Sequence, residues 1–323
     1  MKKFNIKEIL TSNETNQIHI FYCLIARPQK KISKNNTPFL NLYLVDQTGE
    51  INAKKWDISA LDEQNLLHGK VAEIQGKLSD FQGTKQIIIF NWKIINNDEI
   101  KESLFPQAPY SIETMWKEFQ QFIEEINDAD YSKLIKAIFI NFEESFKKHQ
   151  AGLSIHHNVR GGLLWHTLTM LKMANKVIDI YDYVKINKSL LYAGIMLHDI
   201  GKIYEINADL PEQYSFKGKL LGHISIGSEI SKKYGQKLKL PEKKIDLLQH
   251  MILASHGKLE NGSPIRPMLM ESFILSQMDD FDSKTNAIWK NLEQVSPNEF
   301  TKNIFAMDNA NFFHLPPEEN ENN

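Results

Sequence analysis

The sequence predicts a chain of mixed class, in which a small five-stranded β-barrel is followed by an all-α domain. Through most of the first hundred residues apolar and polar positions alternate, which is the period of a half-buried strand. A polar segment with two prolines follows, and beyond it apolar residues recur at helical spacing to about residue 310. With 323 residues, the chain is long enough for two domains that each bury a core.

Five strands are predicted in the first part of the chain. The clearest is PFLNLYLVD, in which Leu40, Leu42 and Leu44 share one face. The other four are QIHIFYCLIA, INAKKWD, KVAEIQGKL and KQIIIFNWKI, with a short helical stretch from Ile58 to Leu67 after the third strand. Five strands with one helix favour a Greek-key barrel of the OB type, although an SH3-like barrel fits the same pattern.

The helical part begins after a polar, proline-containing segment. We expect Ser111 to cap its first helix, because serine accepts hydrogen bonds from the free N–H groups of a first turn. The C-terminal PPEENENN is acidic and lacks core-forming residues, which is typical of disorder. The predicted limits are therefore a barrel over 1–97, a linker over 98–110, a helical domain over 111–312 and a disordered tail over 313–323.

Composition narrows the class of protein. The net charge of −2 and the 42% hydrophobic content are those of a globular protein without a general basic field, although a local basic groove stays possible. Cys23 is the only cysteine, which excludes an internal disulfide and fits a reducing compartment. No apolar run is long enough for a signal peptide or a membrane span, so we expect a cytoplasmic location.

An ordered series of histidines and aspartates carries the strongest functional signal. His198 and Asp199 end the apolar helix SLLYAGIMLHDIGK, where an ionised carboxylate is costly to bury unless a cation or hydrogen bonds compensate it. Imidazole and carboxylate together suit divalent metals such as Mn, Fe, Co or Zn. Lys202, one turn after His198, can face the same site and meet a phosphate oxygen. The remaining members of the series are His166, His223, His256 and Asp279.

Each member also has a structural interpretation when it is taken singly. A lone histidine on a half-apolar helix is more often a hydrogen-bonded core residue than a ligand. Asp279 alone would read as a surface acid beside Asp280 and Asp282, and we expect those two to be solvated. The order of the series in helical settings, rather than any one residue, favours a shared metal site.

The pattern H…HDxxK…H…H…D resembles the HD superfamily of helical metal-dependent phosphohydrolases. The segments HHNVRGGLLWHTLTML, LLYAGIMLHDIGKIYEI, GHISIG and HMILASHGKLENGSPIRP are similar to the YhaM family of 3′–5′ exoribonucleases. That family places an OB-fold domain before its HD domain, and PFLNLYLVDQTGEINAKKWD resembles its OB domain. The resemblance covers nearly the whole chain.

The resemblance implies a ligand set. His166, His198, Asp199 and Asp279 would hold a first divalent metal, and Asp199 would bridge to a second metal on His223 and His256. Two positions depart from the family pattern. Ser255 stands where the family often has histidine, so one bound ion or two remains open, and Trp165 stands where the family often has glutamate. The remaining histidines of this region, His250, His156 and His157, are expected outside the ligand set.

The implied activity is metal-dependent 3′–5′ hydrolysis of single-stranded RNA to 5′-nucleotides, with Mn²⁺ as the expected cofactor and single-stranded DNA as an open alternative. Asp199 would orient the nucleophile and Lys202 would offset charge on the phosphoryl group. The barrel would hold the strand, because OB folds combine basic grooves with aromatic faces on which bases stack. The candidate contacts are Tyr43 and Trp56 for bases and Lys54, Lys55 and the Lys30–Lys31 loop for phosphates.

Two other functions fit parts of the sequence. One is an HD phosphohydrolase acting on a small nucleotide, such as a dNTP, a cyclic dinucleotide or an alarmone, although such a substrate needs no strand-binding barrel. The other is a non-catalytic single-strand-binding protein, which would have no need to retain buried charges. Homo-oligomerisation, for instance into a ring, is a further open expectation.

Overall fold

A computed structural model of the chain describes residues 4–12, 17–81, 84–152, 158–207 and 214–317. Residue contacts divide it into a first unit that ends at Gln107 and a second that begins at Ala108. The first unit is a β-barrel and the second is helical, which confirms the predicted fold class. Within the described residues, no helix combines the length and the apolar character that crossing a membrane requires.

The first unit is a closed five-stranded barrel with the strand order β1-β2-β3-β5-β4. β3 and β5 pair in parallel, and β1 pairs with β4 in antiparallel fashion to close the barrel. This order, with a helix between β3 and β4, is the OB type rather than the SH3-like alternative. The strands are β1 Ile18–Ile32, β2 Pro38–Asp46, β3 Gly49–Trp56, β4 Val71–Phe81 and β5 Thr84–Ile94.

Two short helices complete the barrel, α1 Ile6–Thr11 and α2 Ala60–Asn65. The second was predicted and the first was not, because six residues hold too few turns to show a helical period. Ile6 and Ile9 of α1 are fully buried in the barrel core. The backbone N–H of Ile6 donates to Asp46 Oδ2 over 2.8 Å, so α1 is tied to the end of β2.

The segment predicted as a linker, 98–110, contains a helix, α3 Asp98–Ser103. Leu104 follows it and packs in a small buried cluster with Leu24 and Val71 of the barrel. The polar composition of this segment hides the apolar residues that hold it against the barrel.

The second unit is an all-α bundle. Ser111 caps the first helix of the bundle as predicted, since its side chain accepts from the Thr114 N–H. The central helix, which follows Asn187, is apolar on all sides, and every residue from Ser189 to Leu197 is buried. The helices are α4 Ile112–Glu124, α5 Ala129–Lys148, α6 Gly162–Ile180, α7 Lys188–Leu197, α8 Lys202–Glu205, α9 Phe216–Lys237, α10 Glu242–Leu253 and α11 Met270–Leu292.

Helical structure ends earlier than the sequence predicted. Among the described residues, the last α-helix stops at Leu292 rather than near residue 310. After this helix, a 3₁₀ turn spans Phe305–Met307, and Pro297 and the positive φ of Asn298 (69°) prevent a continuous helix. Beyond it, isolated bridges join Phe300 to Phe313 and Ile304 to Ala310. The predicted tail, 313–323, is described only to residue 317.

Candidate metal centre

Five helical elements bring the six predicted metal ligands to one place in the second unit. Two ligands lie where the buried helix α7 ends, because its apolar residues anchor that end in the core: His198 is its C-cap and Asp199 follows. The other four come from helices around α7 or from a turn. They are His166 on α6, His223 on α9, His256 in the turn after α10 and Asp279 on α11.

The first group of donor atoms surrounds His166 and His198. Their Nε2 atoms are 3.3 Å apart. Asp199 Oδ2 lies 3.3 Å from His198 Nε2, and Asp279 Oδ1 lies 3.3 Å from His166 Nε2. Atoms that bind one ion at about 2.1 Å lie roughly 3.0–3.5 Å from one another, so this group has the spacing of a metal site.

The second group surrounds His223 and His256, whose Nε2 atoms are 3.4 Å apart. Asp199 Oδ1 lies 3.5 Å from His223 Nε2, and Asp279 Oδ2 lies 3.8 Å from His256 Nε2. Asp199 and Asp279 therefore each present one oxygen to each pair of imidazoles. The two histidines converge although Ser255, and not an imidazole, precedes His256.

The other ring nitrogen of each histidine contacts an oxygen that can only accept. Because carboxylates and backbone carbonyls do not donate, each Nδ1 carries a proton, and Nε2 is the ring nitrogen that each histidine directs into the cluster. The four contacts join the Nδ1 atoms of His166, His198, His223 and His256 to Asp282 Oδ2 (2.6 Å), Ile195 O (2.8 Å), Glu205 Oε1 (3.0 Å) and Asn261 O (3.1 Å), respectively.

The site concentrates negative charge. Burial acts to lower the pKa of His166, but hydrogen bonds to Asp279 and Asp282 outweigh it and raise this pKa to about 10. Burial acts to raise the pKa of Asp279, but the hydrogen bond to His166 and the nearby imidazoles hold it well below its ordinary value. The carboxylates therefore stay ionised and attract positive charge into the cluster.

Asp199 provides a test of whether these residues fit a metal. The side chain is buried, and among the described residues neither of its oxygens has a hydrogen-bond partner of acceptable geometry. Its ion-pair partner is Lys202, whose buried Nζ lies 2.7 Å from Oδ2. A buried carboxylate with unused lone pairs, facing four imidazole nitrogens, is the donor set that a divalent cation satisfies.

Two carboxylates of this centre were missed at the level of sequence. Asp282, predicted to be solvated, is 7% exposed and contacts His166, so that prediction is wrong. Its position one turn from Asp279 on α11 was the available signal. Glu205 is also buried and accepts from both the backbone N–H and Nδ1 of His223. Asp280, in contrast, is exposed as expected.

The histidines expected outside the ligand set have different outcomes. His250 Nε2 accepts from the backbone N–H of Met268 over 3.0 Å, which occupies the lone pair that a metal would need. His156 and His157 lie outside the described residues.

The residues predicted to contact nucleic acid lie in the first unit, and three of them share the outer surface of β2 and β3. The Tyr43 ring lies 4.0 Å from the Arg27 guanidinium carbon, and Trp56 stacks on Phe39 at 4.5 Å. Both predicted aromatics are partly exposed and lie outside the barrel core cluster. Phe39 was not predicted as part of this surface.

The two predicted lysines of β3 differ. Lys54 lies on the outer surface, with its Nζ 4.9 Å from the centre of the Phe81 ring. Lys55 has the opposite parity along the strand, and its ammonium donates to the backbone carbonyl of Trp56 over 2.9 Å. Only Lys54 therefore points its charge across the aromatic surface.

Comparisons with known proteins found a family model that matches most of the second unit and relatives that are similar over nearly the whole chain. A family model for the HD domain matches residues 163–284. The chain is 35% identical to the 3′-5′ exoribonuclease YhaM of Geobacillus sp. (strain WCH70), over 90% of each chain. It is 36% identical to the 3′-5′ exoribonuclease YhaM of Halalkalibacterium halodurans, over 92% of this chain and 94% of that one.

Among solved structures, the second OB-fold domain of replication protein A from Methanococcus maripaludis is similar over 30% of this chain and 97% of that one. The identity is 20% and the TM-score is 0.24, which is too low to support an argument. The assignment of the barrel therefore depends on its own strand order.

Proposed function

This chain belongs to the YhaM family of 3′–5′ exoribonucleases, and on that premise we propose that it is a metal-dependent 3′–5′ exoribonuclease. It hydrolyses the phosphodiester bonds of single-stranded RNA and releases 5′-nucleotides. The observation that carries the proposal is the convergence of four imidazole Nε2 atoms and two buried carboxylates on one point of the helical unit.

The ligands divide into two sets. His166 and His198 would hold a first divalent ion, and His223 and His256 would hold a second where two ions bind, with Asp199 and Asp279 as the carboxylate donors. We propose Mn²⁺ from among the divalent ions Mn, Fe, Co and Zn, all of which imidazoles and carboxylates together suit. Divalent ions in these positions would polarise the phosphodiester and lower the pKa of an attacking water.

The protein's own charges serve the reaction in two ways. Asp199, which reaches both imidazole pairs, orients the groups that gather around the scissile phosphate. Lys202 keeps its ammonium 2.7 Å from Asp199 Oδ2 in a buried position, where electrostatic interactions are stronger than in water. Its charge would offset the negative charge that develops on the phosphoryl group.

The barrel, over residues 1–97, would hold the strand while the helical domain, over 111–312, cleaves it. Tyr43 and Trp56 offer partly exposed aromatic faces, and stacking on such a face contributes about 1–3 kcal/mol per base. Lys54 beside them can neutralise a phosphate. Lys55, which was predicted for the same role, is instead engaged by the Trp56 carbonyl.

Location and assembly are part of the proposal. The protein would act in the cytoplasm, which its single, buried Cys23 supports. A homo-oligomer is expected because Phe216 and Leu220, one turn apart on α9, are 83% and 66% exposed, and exposed apolar patches often mark protein contacts. Light scattering on the purified protein would check it.

The test of the activity is a time course with 5′-labelled single-stranded RNA. With Mn²⁺, we expect stepwise shortening from the 3′ end, and chelator or Asp199→Ala should abolish it. Asp280→Ala removes an exposed acid beside Asp279 and should leave the ladder unchanged. No cleavage with any of several divalent ions would contradict the proposal. Parallel reactions with single-stranded DNA would define the preference between the two polymers.

A further inference from the structure

A cavity of about 460 Å³ opens beside the helix that carries His166. Its wall is formed mainly by α6, by α11 and by the segment before α4. Three aromatic rings line it, those of Tyr110, Trp165 and Trp289, together with Leu168, Thr169 and Lys172. None of these residues belongs to the metal centre.

Two of the three aromatic rings keep much of their surface in water, and the third, Trp165, is partly buried. Trp165 and Trp289 meet edge to face, with ring centres 6.2 Å apart and planes at 89°. Trp289 is 43% exposed and Tyr110 is 62% exposed. Single exposed aromatics are common on protein surfaces, but three around one cavity form a surface on which a planar ring can stack.

The cavity is close to the metal centre along both helices. Trp165 directly precedes His166 on α6. Trp289 lies seven residues beyond Asp282, the partner of His166, which is roughly 10 Å along the axis of α11. A strand whose scissile phosphate lay at the metal centre would reach this distance within a few nucleotides.

The charge at the cavity rim suits a polyanion. Lys172 lines the cavity and forms an exposed ion pair with Glu118. An exposed ion pair contributes little to stability, so the ammonium can exchange its partner for a phosphate at small cost. Aromatic faces beside an available cation are the combination that binds single-stranded nucleic acid.

We propose that this cavity is a stacking subsite for one unpaired nucleobase of the RNA substrate. The inference rests on the proposed exoribonuclease function. It adds a second contact with the RNA strand, in the helical unit, to the one proposed for the aromatic surface of the barrel. A base stacked on one of these rings would position the neighbouring phosphodiester for cleavage.

The test compares Trp289→Ala and Tyr110→Ala with the unmodified protein on two substrates. One is a short single-stranded RNA, and the other is the ester methyl p-nitrophenyl phosphate, which has a cleavable phosphodiester but no nucleobase. We expect each substitution to lower kcat/KM on RNA about 5- to 100-fold, as for one lost stacking contact, and to leave hydrolysis of the ester unchanged. Trp289→Phe, which keeps an aromatic face, should recover most of the RNA activity.

Binding provides a readout that does not depend on turnover. In chelator, the anisotropy of a fluorescein-labelled RNA should show weaker binding to Trp289→Ala by a similar factor. Tyr183→Ala, which removes an exposed aromatic from another part of the helical unit, is the matched control and should bind normally.

Each contrary outcome overturns the inference. Unchanged RNA binding and kinetics in the cavity variants would mean that RNA does not occupy the cavity. An equal loss on RNA and on the ester would mean that the substitutions disturb the metal centre. If the unmodified protein cleaves neither substrate, the proposed function fails, and the binding comparison alone then decides whether the cavity holds a base.

Discussion

The carboxylate of Asp282 holds the imidazole of His166, with Oδ2 only 2.6 Å from Nδ1 and both side chains buried. Glu205 holds His223 in the same way on the other side of the centre. A carboxylate behind a metal-binding histidine fixes the ring orientation and makes the coordinating nitrogen more basic. Each imidazole pair thus has one member oriented by a carboxylate and one by a backbone carbonyl.

Asp282→Asn should weaken binding of the first ion about 10- to 100-fold, because the amide keeps a similar shape but loses the charge that supports His166. Calorimetric titration with Mn²⁺ would measure the affinity. Asp280→Asn is the control, since Asp280 is exposed and pairs only with Lys284 among the described residues. Equal affinities in the Asp282 variant and the unmodified protein would show that the contact does not tune the metal.

Glu205→Gln should selectively reduce occupancy of the second site. Glu205 accepts from both the backbone N–H and Nδ1 of His223, at 2.9 and 3.0 Å, so its loss frees the ring to turn away. Elemental analysis after desalting should find less metal per chain in Glu205→Gln than in the unmodified protein. The double variant, Glu205→Gln with Asp282→Asn, should retain less metal still. Glu229→Gln, at an exposed position on α9, should retain the metal content of the unmodified protein.

Lys202→Met should destabilise the metal-free protein by about 3–5 kcal/mol, because it leaves the buried charge of Asp199 without its partner. Adding Mn²⁺ should recover much of this loss, since the cation replaces the ammonium as the neutralising charge. Thermal unfolding with chelator and with Mn²⁺ would measure both effects. Lys284→Met, which breaks an exposed pair with Asp280, should change Tm little. A Tm in chelator equal to that of the unmodified protein would refute the assigned role.

Asp128 should make the stability of the helical unit depend on pH. It caps α5 by accepting from the Tyr131 N–H, and it pairs with Lys244 of α10 at 2.7 Å. Burial acts to raise its pKa, but the hydrogen bonds from Lys244 and Tyr131 outweigh burial and lower it below 3.8. A lowered carboxyl pKa contributes stability that is fully present above the unfolded value and is lost as the pH falls through the folded value.

Urea unfolding at several pH values would check this expectation. At pH 7, Asp128→Ala should cost about 1 kcal/mol for the lost cap, and the difference from the unmodified protein should shrink below about pH 4. Asp128→Asn keeps a capping side chain without the charge, so it should lose only the ion pair. A constant difference between Asp128→Ala and the unmodified protein from pH 7 to pH 3 would contradict the assignment.

On the barrel, Lys54→Ala should weaken RNA binding and reduce the dependence of affinity on salt by about one phosphate contact, a slope change of about 0.7 for a single strand. Lys55→Ala is the matched control, because the Lys55 ammonium is already bound by the Trp56 carbonyl. Filter binding at several salt concentrations would give both slopes. A larger effect from Lys55 than from Lys54 would reverse the assignment of this surface.

Local patterns were sufficient for most of the elements and, together with the family resemblance, for a candidate set of six ligands. The alternating leucines on β2 and the helical spacing after Ser111 are properties of neighbouring residues, so they can be recognised from the sequence alone. The spacing of the histidine series, together with the family resemblance, likewise selected His166, His198 and their four partners before their distances were known.

The details that complete the site depended on tertiary packing. Periodicity reports on residues a turn or two apart, whereas the contact between His166 and Asp282 joins positions separated by 116 residues. Whether Asp282 met solvent or an imidazole was decided by how α11 lies against α6. The position of Asp279 also depended on tertiary packing. Its two oxygens face two different pairs of imidazoles, and those distances are set by how the helices pack around the buried helix α7.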